Sequence, residues 1–326
     1  MVRYALAVAA LAALPLGAVA QSGEPYPSHP VKILVPYAPG GATDIIARHL
    51  APPLGEALGQ SVVVENRAGA SGNIALEAVA KAAPDGYTLL CGNVSTNAIN
   101  ETTFANTLHS KPSRDLAGIT KLVEIPHVIA AHPSLPANSV AELIALAKKM
   151  PGKLNYASAG IGTYPHLDML KFMSAAGIEM THVPYKGGAG QMIQGLLGNE
   201  TQVSFINLSS TLPLIKAGRL KVLATTAPAR LPEIPNVPTM AEQGFPGIGT
   251  NAWQALFVPA GTPKPIVDKL YSAVAGILSR PAMKEMLGKQ MLTVTLSGSP
   301  EEFSQLVRKE TAAWAEVVHA NKVKIN

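Results

Sequence analysis

Apolar positions along this chain follow two alternating patterns. Short runs dense in apolar, β-branched or aromatic residues occupy 31–35, 61–65, 87–91, 128–131, 154–157, 181–184, 201–206, 221–225 and 253–258. Most are separated by segments of roughly 10–15 residues whose apolar positions recur at spacings of three and four, the period of a helix with one buried face. Strand-like runs alternating with helix-like ones predict βαβ units and parallel sheets covered by helices. Helix starts are marked as well. Ser139-Val140-Ala141-Glu142 is a capping box, Thr262-Pro263 sets a cap before a first-turn proline, and Ser299-Pro300-Glu301-Glu302 repeats the device. No polar linker separates two independent domains. Two sheets without a linker imply lobes joined by crossing strands, with 128–131 and 253–258 as the expected crossing points.

The first 20 residues, MVRYALAVAALAALPLGAVA, have a different pattern. Arg3 precedes an apolar stretch too short to span a bilayer, and Ala18-Val19-Ala20 supplies a small-x-small cleavage site. A cleaved signal peptide over 1–20 is expected, which marks the mature protein for export. Cys91 is the only cysteine, so no intramolecular disulfide forms. Its strand-like surroundings predict an inert buried thiol.

Composition narrows the function classes. The chain has 326 residues, 48% apolar and only 14% charged, which excludes a disordered chain. Lys and Arg exceed Asp and Glu by 26 to 21, a difference of five spread along the chain with no basic run. Such a balance suits contact with small anions rather than a nucleic-acid backbone, so no nucleic-acid partner is expected.

Enzyme and cofactor motifs fail on inspection. Tyr156-Ala157-Ser158-Ala159-Gly160 lacks the first glycine of a nucleophile elbow. Gly160-Ile161-Gly162 has Pro165 where a dinucleotide fingerprint needs glycine, and Gly247-Ile248-Gly249-Thr250-Asn251-Ala252 follows a proline rather than a strand. His127 and His132 stand five apart, on opposite faces of a strand. No catalytic residue, cofactor or metal is expected. A hydrolase built on Ser158 or Thr163 would need a His or carboxylate remote in sequence.

Three glycine-rich loops each follow a strand and open a helix. They are 36–44 (PYAPGGATD), 158–163 (SAGIGT) and 185–190 (YKGGAG). Exposed backbone N–H groups and the positive end of a helix dipole suit an anion at such a loop; a plain strand-to-helix turn uses the same residues. Thr43 can serve a ligand or a cap. Ligands of open α/β sheets bind where these loops lie, beyond the carboxyl ends of strands. A carboxylate accepting four or five charge-assisted bonds of about 1.5–3 kcal/mol each, less the entropy of association, reaches roughly micromolar affinity. Phosphate fits the same loops on physics alone.

Six segments in register then carry a resemblance. They are 35–44 (VPYAPGGATD), 58–70 (LGQSVVVENRAGA), 156–163 (YASAGIGT), 183–187 (VPYKG), 215–220 (IKAGRL) and 258–263 (VPAGTP). Together they resemble the Bug family, the extracytoplasmic solute receptors of tripartite tricarboxylate transporters, from about residue 26 to the C-terminus. The resemblance implies a two-lobed α/β periplasmic binding protein of the type II class, its cleft between the lobes. Lobe 1 would comprise 26–124 and 250–326, and lobe 2 would comprise 125–249. It further implies capture of a small carboxylated solute by lobe closure, without turnover. The solute would be a di- or tricarboxylate, an aromatic carboxylate or an amino acid, passed by a monomer to the membrane components of the transporter. A ligand sensor with a signalling partner fits the same resemblance.

Carried over residue by residue, the ligand would meet Tyr37, Gly40, Gly41, Ala42 and Thr43 in the first loop and Ser158, Gly160, Gly162 and Thr163 opposite. Lys186, Gly187, Ser95 and Asn207 would complete the wall. Asn207 departs from the aspartate of many relatives, which disfavours a solute bearing an ammonium group. Pro52-Pro53 and Gly55 interrupt the first helix, where a kink or an early stop is expected.

Overall fold

The apolar runs assemble into two sheets. The computed structural model describes residues 26–185, 187–321 and 323; the leader and Lys186 lie outside the described residues. In chain order the first lobe begins with β1 (Val31–Val35), α1 (Ala42–Leu58), β2 (Val62–Asn66), α2 (Asn73–Ala80) and β3 (Thr88–Asn93). A wide helical turn over Ser95–Ile99 runs into α3 (Asn100–Thr103), followed by α4 (Pro112–Asp115) and β4 (Leu116–Ile125). The second lobe holds β5 (His127–Ala131), α5 (Val140–Lys149), β6 (Asn155–Ser158), α6 (Tyr164–Ala176), β7 (Thr181–Pro184), α7 (Ala189–Leu197), β8 (Val203–Asn207), α8 (Leu208–Lys216) and β9 (Lys221–Thr225). The chain then returns through β10 (Ala252–Pro259), α9 (Lys264–Leu278), α10 (Pro281–Gly288), β11 (Thr293–Val294) and α11 (Pro300–Ala320).

Strand order is β11-β4-β10-β3-β1-β2 in one sheet and β7-β6-β8-β5-β9 in the other. Both sheets are mixed rather than wholly parallel. β1 runs parallel to β2 and β3, and β6 to β7 and β8, as the βαβ rhythm requires. β10 is antiparallel to β3 and β4, and β5 is antiparallel to β8 and β9. The reason is topological: a chain that leaves a lobe and returns beside its own exit must run in the opposite direction. The exit is Pro126, between β4 and β5, and the return lies between Thr225 and Ala252.

Each sheet is covered on both faces, so its central strands read as unbroken apolar runs. In β1, Val31, Ile33 and Val35 pack under α1 and α9 with Ile46, Leu50, Leu54, Leu270 and Val274. Leu34 faces the other way, toward Leu76, Leu90 and Phe303. Ile129, Phe172 and Phe205 build one side of the second sheet; Val128, Ile206 and Leu196 build the other.

Three sequence expectations need correction. The longest strand, β4, lies outside all the predicted runs, because Gly118, Thr120, Lys121 and Glu124 break its apolar pattern; Lys121 and Glu124 form an ion pair at its half-buried positions. The first helix neither stops nor breaks at Pro52-Pro53 but continues to Leu58, ending on Gly59 in the left-handed region. The prolines forfeit bonds to the carbonyls of exposed Arg48 and half-buried His49, while buried Ile46, Leu50, Leu54 and Leu58 hold the apolar face. Finally, Thr262 does not cap α9. Its hydroxyl donates to the Pro259 carbonyl at 2.8 Å, and Pro263 takes the cap position. Ser139 and Ser299 do cap, accepting from Glu142 and Glu302 N–H at 3.1 Å each.

Candidate functional site

The ends of β3 and β8 and the loops after β1, β6 and β7 supply residues to the cavity between the lobes. Helices α1, α6, α7 and α8 start there, so four helix N-termini converge on one cavity. Its wall includes Gly41, Ala42 and Thr43 from the α1 end, Tyr164 and Pro165 from α6, Gly188 and Ala189 from α7, and Asn207 from α8. First-turn N–H groups have no partner inside their helix, and each N-terminus carries about half a positive charge. Tyr37, Asn93, Ser95 and Gln254 add polar groups; Ala159, Met192 and Ile206 form an apolar side. Among the described residues no charged side chain lines it. The empty space among its lining atoms, counted out into the open mouth, is ≈ 430 Å³, of which the centre of a water molecule can occupy only ≈ 30 Å³.

Several contacts hold the lobes together around this space. Ala38 N–H donates to the Gly187 carbonyl at 3.1 Å, and Ser210 Oγ to the Gly40 carbonyl at 3.1 Å. Ser71 Oγ donates to the Ile161 carbonyl at 3.2 Å, and Tyr164 N–H to Ser95 Oγ at 3.1 Å. Gly188, at φ +72°, lies so close to Tyr37 that a Cβ would stand 2.9 Å from its ring.

Of the residues expected to touch a ligand, Tyr37, Gly41, Ala42, Thr43, Ser95 and Asn207 line the cavity. Burial holds the Tyr37 phenol up at about 12, against hydrogen bonds with Asn93 and Ser95 that pull it down, so it stays a neutral donor. Thr43 Oγ1 donates to Gln254 Oε1 at 2.6 Å. Gly40 stands outside the lining, its N–H given to Asp44 Oδ2 at 3.0 Å. Asp44 also takes Arg48 Nε and Asn66 Nδ2 at 2.9 Å each, so it is a structural hub of the first loop.

Ser158, Gly160, Gly162 and Thr163 lie behind the lining in a self-bonded loop. Thr163 Oγ1 donates to the Gly160 carbonyl at 2.7 Å, and Gly162 N–H to His166 Nδ1 at 3.0 Å. Gly160 and Gly162 abut Ser71 and Thr103 of the first lobe. Gly187 joins the lobe contact through its carbonyl. Lys186 lies outside the described residues. Ser158 Oγ does meet a remote histidine, His182 Nε2, at 2.6 Å, but the serine is fully buried, turns back on Gly160, and does not reach the cavity. His182 stacks on His166 at 4.1 Å and on Tyr156 at 4.9 Å, and burial holds His182 down at about 4 and His166 at about 3.

Sequence reasoning missed Asn93, Ala159, Tyr164, Pro165, Gly188, Ala189, Met192, Ile206 and Gln254 as lining residues. Two of them left a signal. Asn93 ends β3 as Asn207 ends β8, and Gln254 is a lone polar residue in the apolar strand AWQALFVP, where it is 1% exposed.

A second network ties the crossing segments to the site. Buried His127, the first residue after the Pro126 crossing, meets the Thr250 carbonyl through Nδ1 and Tyr164 Oη through Nε2, both at 2.9 Å. A carbonyl only accepts, so Nδ1 carries the proton. Burial holds the ring at about 3 and hence neutral, so Nε2 accepts from Tyr164. Asp168 accepts from Thr250 N–H at 2.9 Å and Thr250 Oγ1 at 3.0 Å; burial pushes its carboxyl up to about 6 against the pull of Lys171 and Thr250. Among the described residues no group of three or more His, Cys, Asp or Glu side chains could hold a metal ion. Nor is any helix there long and apolar enough to cross a membrane.

Comparison with known proteins agrees with this architecture. The family model for the tripartite tricarboxylate transporter family receptor, TctC, matches residues 46–323. Protein BugT of Bordetella pertussis is 34% identical, covering 93% of this chain and 93% of its own length. The structure of Rpa4515 of R. palustris with adipate superposes with a TM-score of 0.87 at 35% identity, covering 91% of this chain and 98% of that one. MatC of Rhodopseudomonas palustris with bound malate gives 0.84 at 32% identity over 90% of this chain and 100% of that one. With this fold, a cleft ringed by helix N-termini, and a family match over most of its length, the chain belongs to the TctC family and is a Bug-type solute receptor of the tripartite tricarboxylate transporter class.

Proposed function

We propose that this protein captures a small carboxylated solute between its lobes in the periplasm and hands it, without turnover, to the membrane components of a tripartite transporter. The observation that carries this is the convergence of four helix N-termini on a cavity with no charged lining side chain among the described residues. Partial positive charge and unpaired N–H donors there have no counter-charge from the lining, so an anionic ligand supplies it. Relatives whose structures hold adipate and malate support a carboxylate as that anion. Residues 1–20 direct export, and the division into 26–124 with 250–326 against 125–249 puts the hinge at the two crossings.

Native mass spectrometry of the mature protein, with thermal-shift titration against adipate, malate, citrate and aromatic acids, tests this. A retained acid, or a melting temperature that climbs with acid concentration, is the expected result. No retained acid and no shift with any of them would remove the carboxylate from the proposal.

A further inference from the structure

Three carboxamide side chains line the cavity, and the protein fixes which end of each faces inward. Asn207 Oδ1 accepts from Ser210 N–H at 2.9 Å and from Ser209 Oγ at 2.8 Å. A backbone N–H can only donate, so the amide cannot be turned round. Asn93 Oδ1 is held in the same way by Thr96 N–H at 3.2 Å. Gln254 Oε1 meets Thr43 Oγ1 at 2.6 Å, a separation proper to O–H···O rather than N–H···O.

Two of the three nitrogens are left over. Asn207 Nδ2 and Gln254 Nε2 have no hydrogen-bond partner among the described residues. Neither is sealed in like the unpartnered Asn97 Nδ2, and both residues border the cavity, so both NH₂ groups open onto it. The residues themselves are 5% and 1% exposed, so their donors are largely withdrawn from bulk water and gain most from an acceptor that enters with the solute.

We propose that Asn207 and Gln254, one from each lobe, are the specificity-determining pair that selects acids whose remaining polar atoms are acceptors and rejects the same acids carrying an ammonium group. This deepens, and rests on, the solute-receptor reading above. An ammonium against these amides sets donor against donor beside four positive helix ends, and no carboxylate lines the described wall to receive it. The nearby carboxylates are engaged: Asp44 by Gly40, Arg48 and Asn66, and Asp168 by Thr250. Two free donors withdrawn from water discriminate strongly, because a ligand that brings them no acceptor leaves them unpaired.

The test is calorimetric titration of the mature chain with matched pairs: succinate and L-aspartate, adipate and L-2-aminoadipate, phenylacetate and L-phenylglycine, 3-phenylpropanoate and L-phenylalanine. At least one unsubstituted acid should bind, and at least about tenfold more tightly than its amino partner, in line with. Asn207→Asp keeps the acceptor for Ser209 and Ser210, and Gln254→Glu keeps the acceptor for Thr43; each replaces the free donor with an anionic oxygen. Each should weaken the unsubstituted acid at least about tenfold and collapse or invert the pair ratio. Gln254→Met, which removes the donor without burying a charge, should lower the ratio too. Equal or tighter binding of the amino acid by the native protein overturns the proposal, as does a ratio unmoved in all three variants. Binding of none of the eight overturns this inference, and with no shift against malate or citrate either it fells the carboxylate reading too.

Discussion

Across the cleft, the backbone N–H of Tyr164 donates to Ser95 Oγ at 3.1 Å. Tyr164 opens α6, so that amide has no partner in its own helix and finds one in the other lobe. The same residue's hydroxyl donates to His127, which in turn holds the Thr250 carbonyl. One residue thus joins the contact across the cleft, through its backbone, to both crossing segments, through its hydroxyl.

Gly162 lies against Thr103 across the cleft. Gly162 has φ +77°, and a Cβ there would stand 2.1 Å from Thr103 Cγ2 in the first lobe. Gly162→Ala should cost about 1–2 kcal/mol for the left-handed backbone. It should cost more in binding, with affinity at least about tenfold weaker because the lobes cannot meet. Thr103→Ala in the same chain removes the closest methyl and should restore part of the loss. Calorimetry with the tightest-binding acid and small-angle scattering of the bound form read this out; full affinity in the single variant would show that these residues do not meet in the bound state.

Thr43 and Thr163 both sit in the glycine-rich loops but do different work. Thr43 holds the Gln254 carboxamide, whereas Thr163 holds the Gly160 carbonyl inside its own loop. Thr43→Val should weaken solute binding about tenfold with a small change in melting temperature, as expected for one lost hydrogen bond and a freed amide. Thr163→Val should chiefly lower stability, by about 1–2 kcal/mol. If affinity survives Thr43→Val, Gln254 does not depend on that hydroxyl.

Buried histidines govern the acid side of stability. His127 and His166 are held at about 3 and His182 at about 4, all below the usual 6.5, chiefly by burial. Groups depressed in the fold stabilise it fully above about pH 6.5, and that contribution is lost as pH falls toward 3–4. Asp168 runs the other way. Raised by burial from 3.8 to about 6, it stabilises below about pH 4, and the contribution is lost as pH rises through 6. Three histidines outweigh one aspartate, so the melting temperature should fall from pH 7 to pH 4. Asp168→Asn should steepen the fall and His127→Gln should flatten it. A melting temperature constant from pH 4 to pH 7 would contradict neutral burial of these rings.

Much of the fold was legible because burial on both faces of a sheet writes an unbroken apolar run. The runs at 31–35, 181–184 and 221–225 coincide with β1, β7 and β9. β4 was hidden because Lys121 and Glu124 satisfy each other at half-buried positions, a pairing that no spacing rule shows. The uninterrupted α1 was hidden for a related reason. Whether Pro52-Pro53 stops a helix depends on whether the orphaned carbonyls reach water and the apolar face reaches a core.

Local chemistry therefore determined most of the elements, the caps at Ser139 and Ser299, and the loops where a ligand would be expected, because each depends on residues within a few positions of one another. The tertiary structure alone decided which loop residues face the cavity. Thr163 turned inward to Gly160, while Gln254, more than two hundred residues from Thr43, came to hold its hydroxyl at 2.6 Å. That pairing requires β10 to return from the second lobe and lie beside β3, a long-range register that depends on the packing of two whole lobes and that no local pattern contains.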